Sequence, residues 1–244
     1  MAKLKASKRS KKLTIKIITL FPKFIDEFVG NFGIVKKAIK KKLLEIKPVD
    51  LRKFGINKRK TVDDTPYGGG VGMVLRPDVL QKAIESAKKS KVKGKKSKVI
   101  LLSPQGKPFS QKMAQRLSKY DNLIFVSGRY EGFDERIRKF VDEEISLGDY
   151  VLMGGELPAL TITEAVIRLR SGILGKDESA DKESFSESLL EYPQYTKPEI
   201  FNIGKKKLQV PKVLLTGHHK NIEEWRKKEA IKKTKRRRPD LLHI

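Results

Sequence analysis

The chain has 244 residues, 38% of them hydrophobic, and sets 55 Lys plus Arg against 29 Asp plus Glu, for a formal net charge of +26 and an isoelectric point near 10.0. That is enough apolar content for one large or two small folded domains, and no run approaches the roughly 18 apolar residues of a membrane span. With no cysteine and only three histidines, disulfides, thiolate chemistry and His-rich metal sites are excluded; the cationic excess makes nucleic acid the leading partner.

Residues 1–12 carry six bases and no acid, lack the apolar core of a secretory signal, and read as a disordered basic arm of a cytoplasmic protein. LTIKIITL (13–20) reads as a strand, and Phe21, Phe24, Ile25 and Phe28 give a helix with Pro22 near its start. A second helix is expected over 36–46. Four glycines within Gly68–Gly72 exclude regular structure there. Leu80, Ala83, Ile84 and Ala87 define a helix over 77–89, followed by seven lysines between Lys88 and Lys98 in a polar loop. KVILL (98–102), NLIFV (122–126) and EISL (144–147) read as buried strands separated by helical segments, one of them with Phe109, Met113 and Leu117 on a face. That order predicts a parallel sheet whose ligand crevice lies beyond the carboxyl ends of the strands. Pro158 suits the first turn of a helix running to about Arg170. Polar residues then dominate a linker over 171–191, and 14 bases against three acids between Lys205 and Arg238 fit a small basic helical domain over 192–244.

The stretch 126–158 stands out: eight carboxylates against four bases, with Gly128, Gly132, Gly148, Gly154 and Gly155 beside the strand ends. An acidic island in a basic chain suits a small cationic ligand, with a polyanion on the surfaces around it. No G-x-G-x-x-G or G-x-x-x-x-G-K-[ST] pattern occurs, so a nucleotide di- or triphosphate on a helix N-terminus is disfavoured. Tyr130 and Tyr150 are candidates to stack on a base.

Six segments resemble one family: RKTVDDTPYGGGVGM, LLSPQGKPF, SGRYEGFDERI, SLGDYVLMGGELPAL, EYPQYTKPE and LLTGHHKNIEEWR are similar, in the same order, to the bacterial tRNA (guanine-N1)-methyltransferases of the SPOUT class. The resemblance implies an α/β fold with a SPOUT-type parallel sheet tied in a deep trefoil knot over 13–170, plus a small basic α-helical C-terminal domain that binds tRNA. It implies a homodimer in which two subunits form each site, and S-adenosylmethionine as cofactor. By matching positions, the first cofactor loop is Leu101, Leu102, Ser103 and Pro104, and the second holds Gly128, Tyr130 and Glu131. The third supplies Leu147, Gly148, Asp149, Tyr150 and Val151, then Leu152, Gly154, Gly155 and Pro158.

The implied reaction is methylation of guanine N1 immediately 3′ of the anticodon, position 37 of tRNA. It calls for one carboxylate base and one cation near O6. The family's arginine matches Arg168. Its linker aspartate falls on Glu183, a departure that keeps the carboxylate on a longer arm, with Asp181 as competitor. Glu131 is expected at the sulfonium end of the cofactor, directly or through Mg²⁺. The competing readings are a SPOUT enzyme acting on another RNA position and a non-catalytic RNA-binding homologue.

Overall fold

The computed structural model describes residues 12–89, 96–173, 184–185 and 188–242, and the chain divides into two compact units near residue 177. The first unit runs β1 (Leu13–Thr19), α1 (Pro22–Asn31), α2 (Gly33–Lys40), β2 (Leu44–Asp50), a short hairpin of β3 (Asp63–Asp64) and β4 (Val74–Leu75), and α3 (Pro77–Lys88). It continues with β5 (Ser97–Pro108), α4 (Gln111–Leu117), β6 (Asn122–Ser127), β7 (Glu143–Ser146) and α5 (Glu156–Ile167).

Five of these strands form one parallel sheet in the order β2-β1-β6-β5-β7. All six residues of β6 are buried, as befits the middle of a sheet covered on both faces. Strand alternation sorts the core into two layers. Leu13, Ile15, Ile17, Ile100, Leu102, Leu123 and Phe125 pack with α1, α2, α4 and α5. Ile18, Val99, Leu101, Ile124 and Val126 pack with α3 and the 3₁₀ turns at Leu51–Phe54 and Glu135–Phe140. Lys16, the one residue of β1 that is not buried, donates its Nζ to the carbonyls of Ala87 (2.6 Å) and Lys89 (3.3 Å), satisfying the C-terminal end of α3.

Two local readings need correction. The expected helix over 36–46 ends at Lys40: Lys42 takes a positive φ of 61°, and Leu44–Asp50 pairs with β1 as an edge strand. Pro48 is tolerated there because an edge strand has one side without ladder bonds. The first buried strand does not stop at residue 102 either. After Leu102 the chain bulges outward and rejoins β7 at Lys107, so that Ile145 is opposite both Leu102 and Lys107. Gly106 makes the return possible, since a Cβ there would lie 2.5 Å from the backbone of Ile145.

The second unit holds an antiparallel hairpin, β8 (Ile200–Ile203) with β9 (Lys206–Gln209), a 3₁₀ turn at Lys212–Leu215 and one long helix, α6 (His219–Arg237). It is therefore a helix with a hairpin, where sequence suggested helices alone. The segment 189–195 runs along α6: Leu190 donates its N–H to Thr234 Oγ1 (2.9 Å), and Lys233 Nζ donates to Glu191 O (2.9 Å). Tyr192 stacks under the Arg226 guanidinium and Tyr195 tilts against Trp225.

Candidate functional site

At the carboxyl ends of β5, β6 and β7 three loops enclose a cleft of about 310 Å³. The β5 bulge contributes Leu102, Ser103, Pro104 and Gln105; the loop after β6 contributes Gly128 to Phe133; the loop after β7 contributes Leu147 and then Tyr150 to Gly155, with Ile145 and Ser146 beneath and Pro158 of α5 at one side. This is the ligand position that an open parallel sheet dictates.

The loops are fixed to one another by backbone bonds. Gly155 N–H donates to Gly128 O (2.9 Å), and Tyr150 N–H closes a tight turn on Gly148 O (2.9 Å). Gly155 has to be glycine for packing, because a Cβ would sit 2.6 Å from Ser127 Cα and 2.7 Å from Gly128 N. Tyr130 adopts φ +58°, which turns the second loop back on itself. Behind that turn, Glu131 N–H donates to Met73 O and Leu75 N–H to Gly132 O, each at 3.0 Å, tying the glycine-rich 66–73 loop to the cleft wall.

The acidic island resolves into pairs. Glu144 accepts from Arg138 (2.9 and 3.0 Å) and from Ser103 Oγ (2.7 Å). Glu143 pairs with Lys98 and Arg116, Asp134 with Arg136, and Glu135 with Arg138, while Asp142 accepts from Val99 N–H. Burial alone would raise the Glu144 pKa; the hydrogen bonds from Arg138 and then Ser103 outweigh it and hold the carboxyl below the usual range. Glu143 follows the same balance, with Arg116 and Lys98 overcoming burial. Of the eight acids, Glu131 and Asp149 are left without such a partner among the described residues, and Glu131 lines the cleft. The surplus negative charge at the ligand position is thus one carboxylate, far less than the composition of the stretch suggests.

A buried pair that sequence reasoning missed joins the second loop to α5. Glu156 is 1% exposed; Arg129 donates to its Oε2 through Nε (3.0 Å) and Nη2 (2.8 Å), and Thr19 Oγ1 donates to its Oε1 (2.6 Å). Arg129 also reaches Met153 O (3.3 Å) and lies over the Phe21 ring at 4.3 Å. Gly154 leaves the space this requires, since a Cβ there would be 2.3 Å from Arg129 Nε. The available signal was a lone carboxylate at the first position of a helix rich in apolar residues, which demands a partner from the four bases of the stretch.

Of the sixteen residues matched to the cofactor loops, thirteen line this cleft. Leu101 faces the opposite core layer, one residue out of phase with Leu102. Gly148 and Asp149 shape the tight turn after β7 without lining the cavity. Arg168 is not brought to it: it caps the C-terminal end of α5, whereas Gly155, at the other end, forms the cleft wall. Glu183 and Asp181 lie outside the described residues, as do most of the basic arm and the centre of the lysine-rich loop.

Helices on both faces of a parallel sheet, with a loop-walled cleft at its carboxyl edge, define an α/β protein built to hold a small ligand. Comparison with known proteins gives the particular family. The model of tRNA (Guanine-1)-methyltransferase TrmD matches residues 13–244. A tRNA (guanine-N(1)-)-methyltransferase of Dictyoglomus turgidum is 51% identical over 232 residues, 94% of this chain and 90% of that protein. Those of Clostridium novyi and Thermus thermophilus are 50% and 46% identical, over 94% and 93% of the chain and 91% and 90% of their own lengths. The chain belongs to the tRNA (guanine-N1)-methyltransferase family, as the motif resemblance implied.

Proposed function

We propose that this chain methylates guanine N1 at position 37 of tRNA with S-adenosylmethionine as donor. The observation that carries the reading is the cleft itself: in a chain of this family, the loops after β5, β6 and β7 meet in one cavity edged by Glu131, a carboxylate without a partner among the described residues. The residues present fit the group. Leu102, Pro104, Leu147 and Leu152 offer apolar walls, the backbone of Gly128, Gly154 and Gly155 allows close approach, and Tyr130 and Tyr150 stand half-exposed at the rim. When bound, S-adenosylmethionine supplies a methyl group made electrophilic by its sulfonium.

What remains for the protein is to align the base and move one proton. Glu183 takes the proton from guanine N1, and Arg168 stabilises the charge that develops on O6. In one subunit Arg168 lies about 15 Å along α5 from Pro158, the last residue of that helix in the cleft wall, which supports a homodimer whose partner completes the site. The groove between α1 and α5, where Phe24 and Leu157 are exposed above half-buried Phe28 and buried Leu160, gives that contact an apolar face. In this reading Glu131 sets its charge opposite the sulfonium, directly or through Mg²⁺ held by oxygen ligands.

The trefoil knot belongs to this reading too, supported by the parallel order β2-β1-β6-β5-β7 and the long bulged β5. No helix among the described residues is long and apolar enough to cross a membrane, and a tRNA substrate suits the cytoplasm. Glu183→Gln tests the chemistry: kcat should fall by at least 100-fold while S-adenosylmethionine binding, read by calorimetry, is unchanged (~10²–10⁴ for a general base). Normal turnover by this variant alongside loss in Asp181→Asn would move the base to Asp181.

A further inference from the structure

No residue of the β8–β9 hairpin is among those that line the cleft. All eight of its strand residues are exposed, and Phe201, Ile203 and Leu208 are 55%, 54% and 50% exposed, unusual for apolar side chains in a strand pair. Register decides which face they share. Phe201 is opposite Leu208 and Ile203 opposite Lys206, so these four project from one side; Ile200, Asn202, Lys207 and Gln209 project from the other. Gly204, at φ +57°, makes the turn, and Lys205 extends the basic tip to three consecutive lysines. With Lys197 and Lys212 on the flanks and Glu199 the sole acid between them, the segment 197–212 has four net positive charges.

A two-stranded hairpin is marginal alone in water, and an apolar row on an uncovered face awaits an occupant. A protein partner is the less suitable one, because lysine is depleted from the cores of protein interfaces. An unpaired stretch of nucleic acid meets both features together: bases stack on an aromatic ring and its aliphatic neighbours, while lysines at the edge take the phosphates. We infer that the Phe201, Ile203 and Leu208 face of this hairpin is a stacking platform for an unpaired segment of the tRNA substrate, with Lys206 on the same face and Lys205 at the turn taking the adjoining phosphates. The assignment rests on tRNA being the substrate and adds a contact separate from the methylated guanine.

The test uses the full chain, a fluorescently labelled tRNA transcript and steady-state methylation. Phe201→Ala should raise the tRNA Kd and KM by about 30-fold, the middle of the range for one lost stack, with kcat and S-adenosylmethionine affinity within twofold of wild type. Phe201→Tyr, which keeps the ring, should restore both. Replacing Lys205 and Lys206 by alanine should lower the slope of log Kd against log salt by about 1.4, at roughly 0.7 per phosphate contact on a single strand. Unchanged Kd, KM and salt slope in a wild-type background that methylates tRNA would overturn the platform alone. Failure of wild type itself to bind or methylate the transcript would remove the reading beneath it. A change of molar mass in Phe201→Ala, read by light scattering with thermal stability intact, would reassign the face to contact between copies and likewise overturn the inference.

Discussion

In the first unit Glu156 is 1% exposed and both of its oxygens are occupied, by Arg129 and Thr19; in the second unit the described buried residues are Ala230 and Thr234, and a whole hairpin faces solvent. On the proposed function the two regions answer to ligands of different size. A small cofactor needs walls that exist before it arrives, so the cleft loops are fixed by backbone bonds, close glycine contacts and a buried ion pair. A polyanion is gripped across a broad surface by many separate contacts, none requiring a closed cavity. Substitutions in the two units should therefore fail differently: in the first through stability and cofactor affinity, in the second through tRNA affinity.

The largest stability effect is expected at Arg129. Arg129→Ala leaves the Glu156 carboxylate buried with Thr19 as its one remaining partner, and breaking such a pair costs about 3–5 kcal/mol. Urea unfolding should show that loss, and calorimetry should show weaker S-adenosylmethionine binding because the Met153 carbonyl is released from its donor. A loss below about 1 kcal/mol, the scale of an exposed pair, would mean the contact is not what holds the loops. Thr234→Val comes next and stays within the second unit. It removes the hydroxyl that donates to Ala230 O (2.7 Å) and accepts from Leu190 N–H, leaving that N–H unpaired at a cost of about 1–3 kcal/mol. Hydrogen exchange should accelerate at residues 189–192, with cofactor affinity unchanged. An effect on the cleft would erase the contrast between the units.

How far the sequence reveals this contrast depends on the range of the interactions. Buried parallel strands such as β6 read as short apolar runs and are legible locally. The edge strand β2 is not, because Lys47 and Pro48 break its pattern and its place is set by pairing with β1. The three glycine loops could be placed at strand ends from local pattern, but separating Leu101 from Leu102 needed the faces of the sheet. The acids of the island look free in one dimension. Pairing that spans 27 residues for Arg129 with Glu156, or 41 for Ser103 with Glu144, appears only after folding.

The smallest effect concerns those pairs and pH. The Glu144 pKa is lowered in the fold, since Arg138 and Ser103 outweigh burial. A carboxyl lowered in this way binds its proton less readily folded than unfolded, so its contribution is complete above the unfolded value, about 4.3, and is lost as pH falls through the lower folded value. Glu144→Gln removes the titration but keeps the shape. The variant should be less stable than wild type at neutral pH, and the gap should narrow as pH falls below about 4.3, read as urea midpoints at matched ionic strength. Arg138 is about a quarter exposed, so added salt should shrink the neutral-pH gap as well. A gap that holds constant from neutral to acid pH would show that Glu144 stabilises the β5 bulge through hydrogen-bond geometry alone, leaving charge pairing as a property of the buried Arg129–Glu156 contact and not of the cleft wall generally.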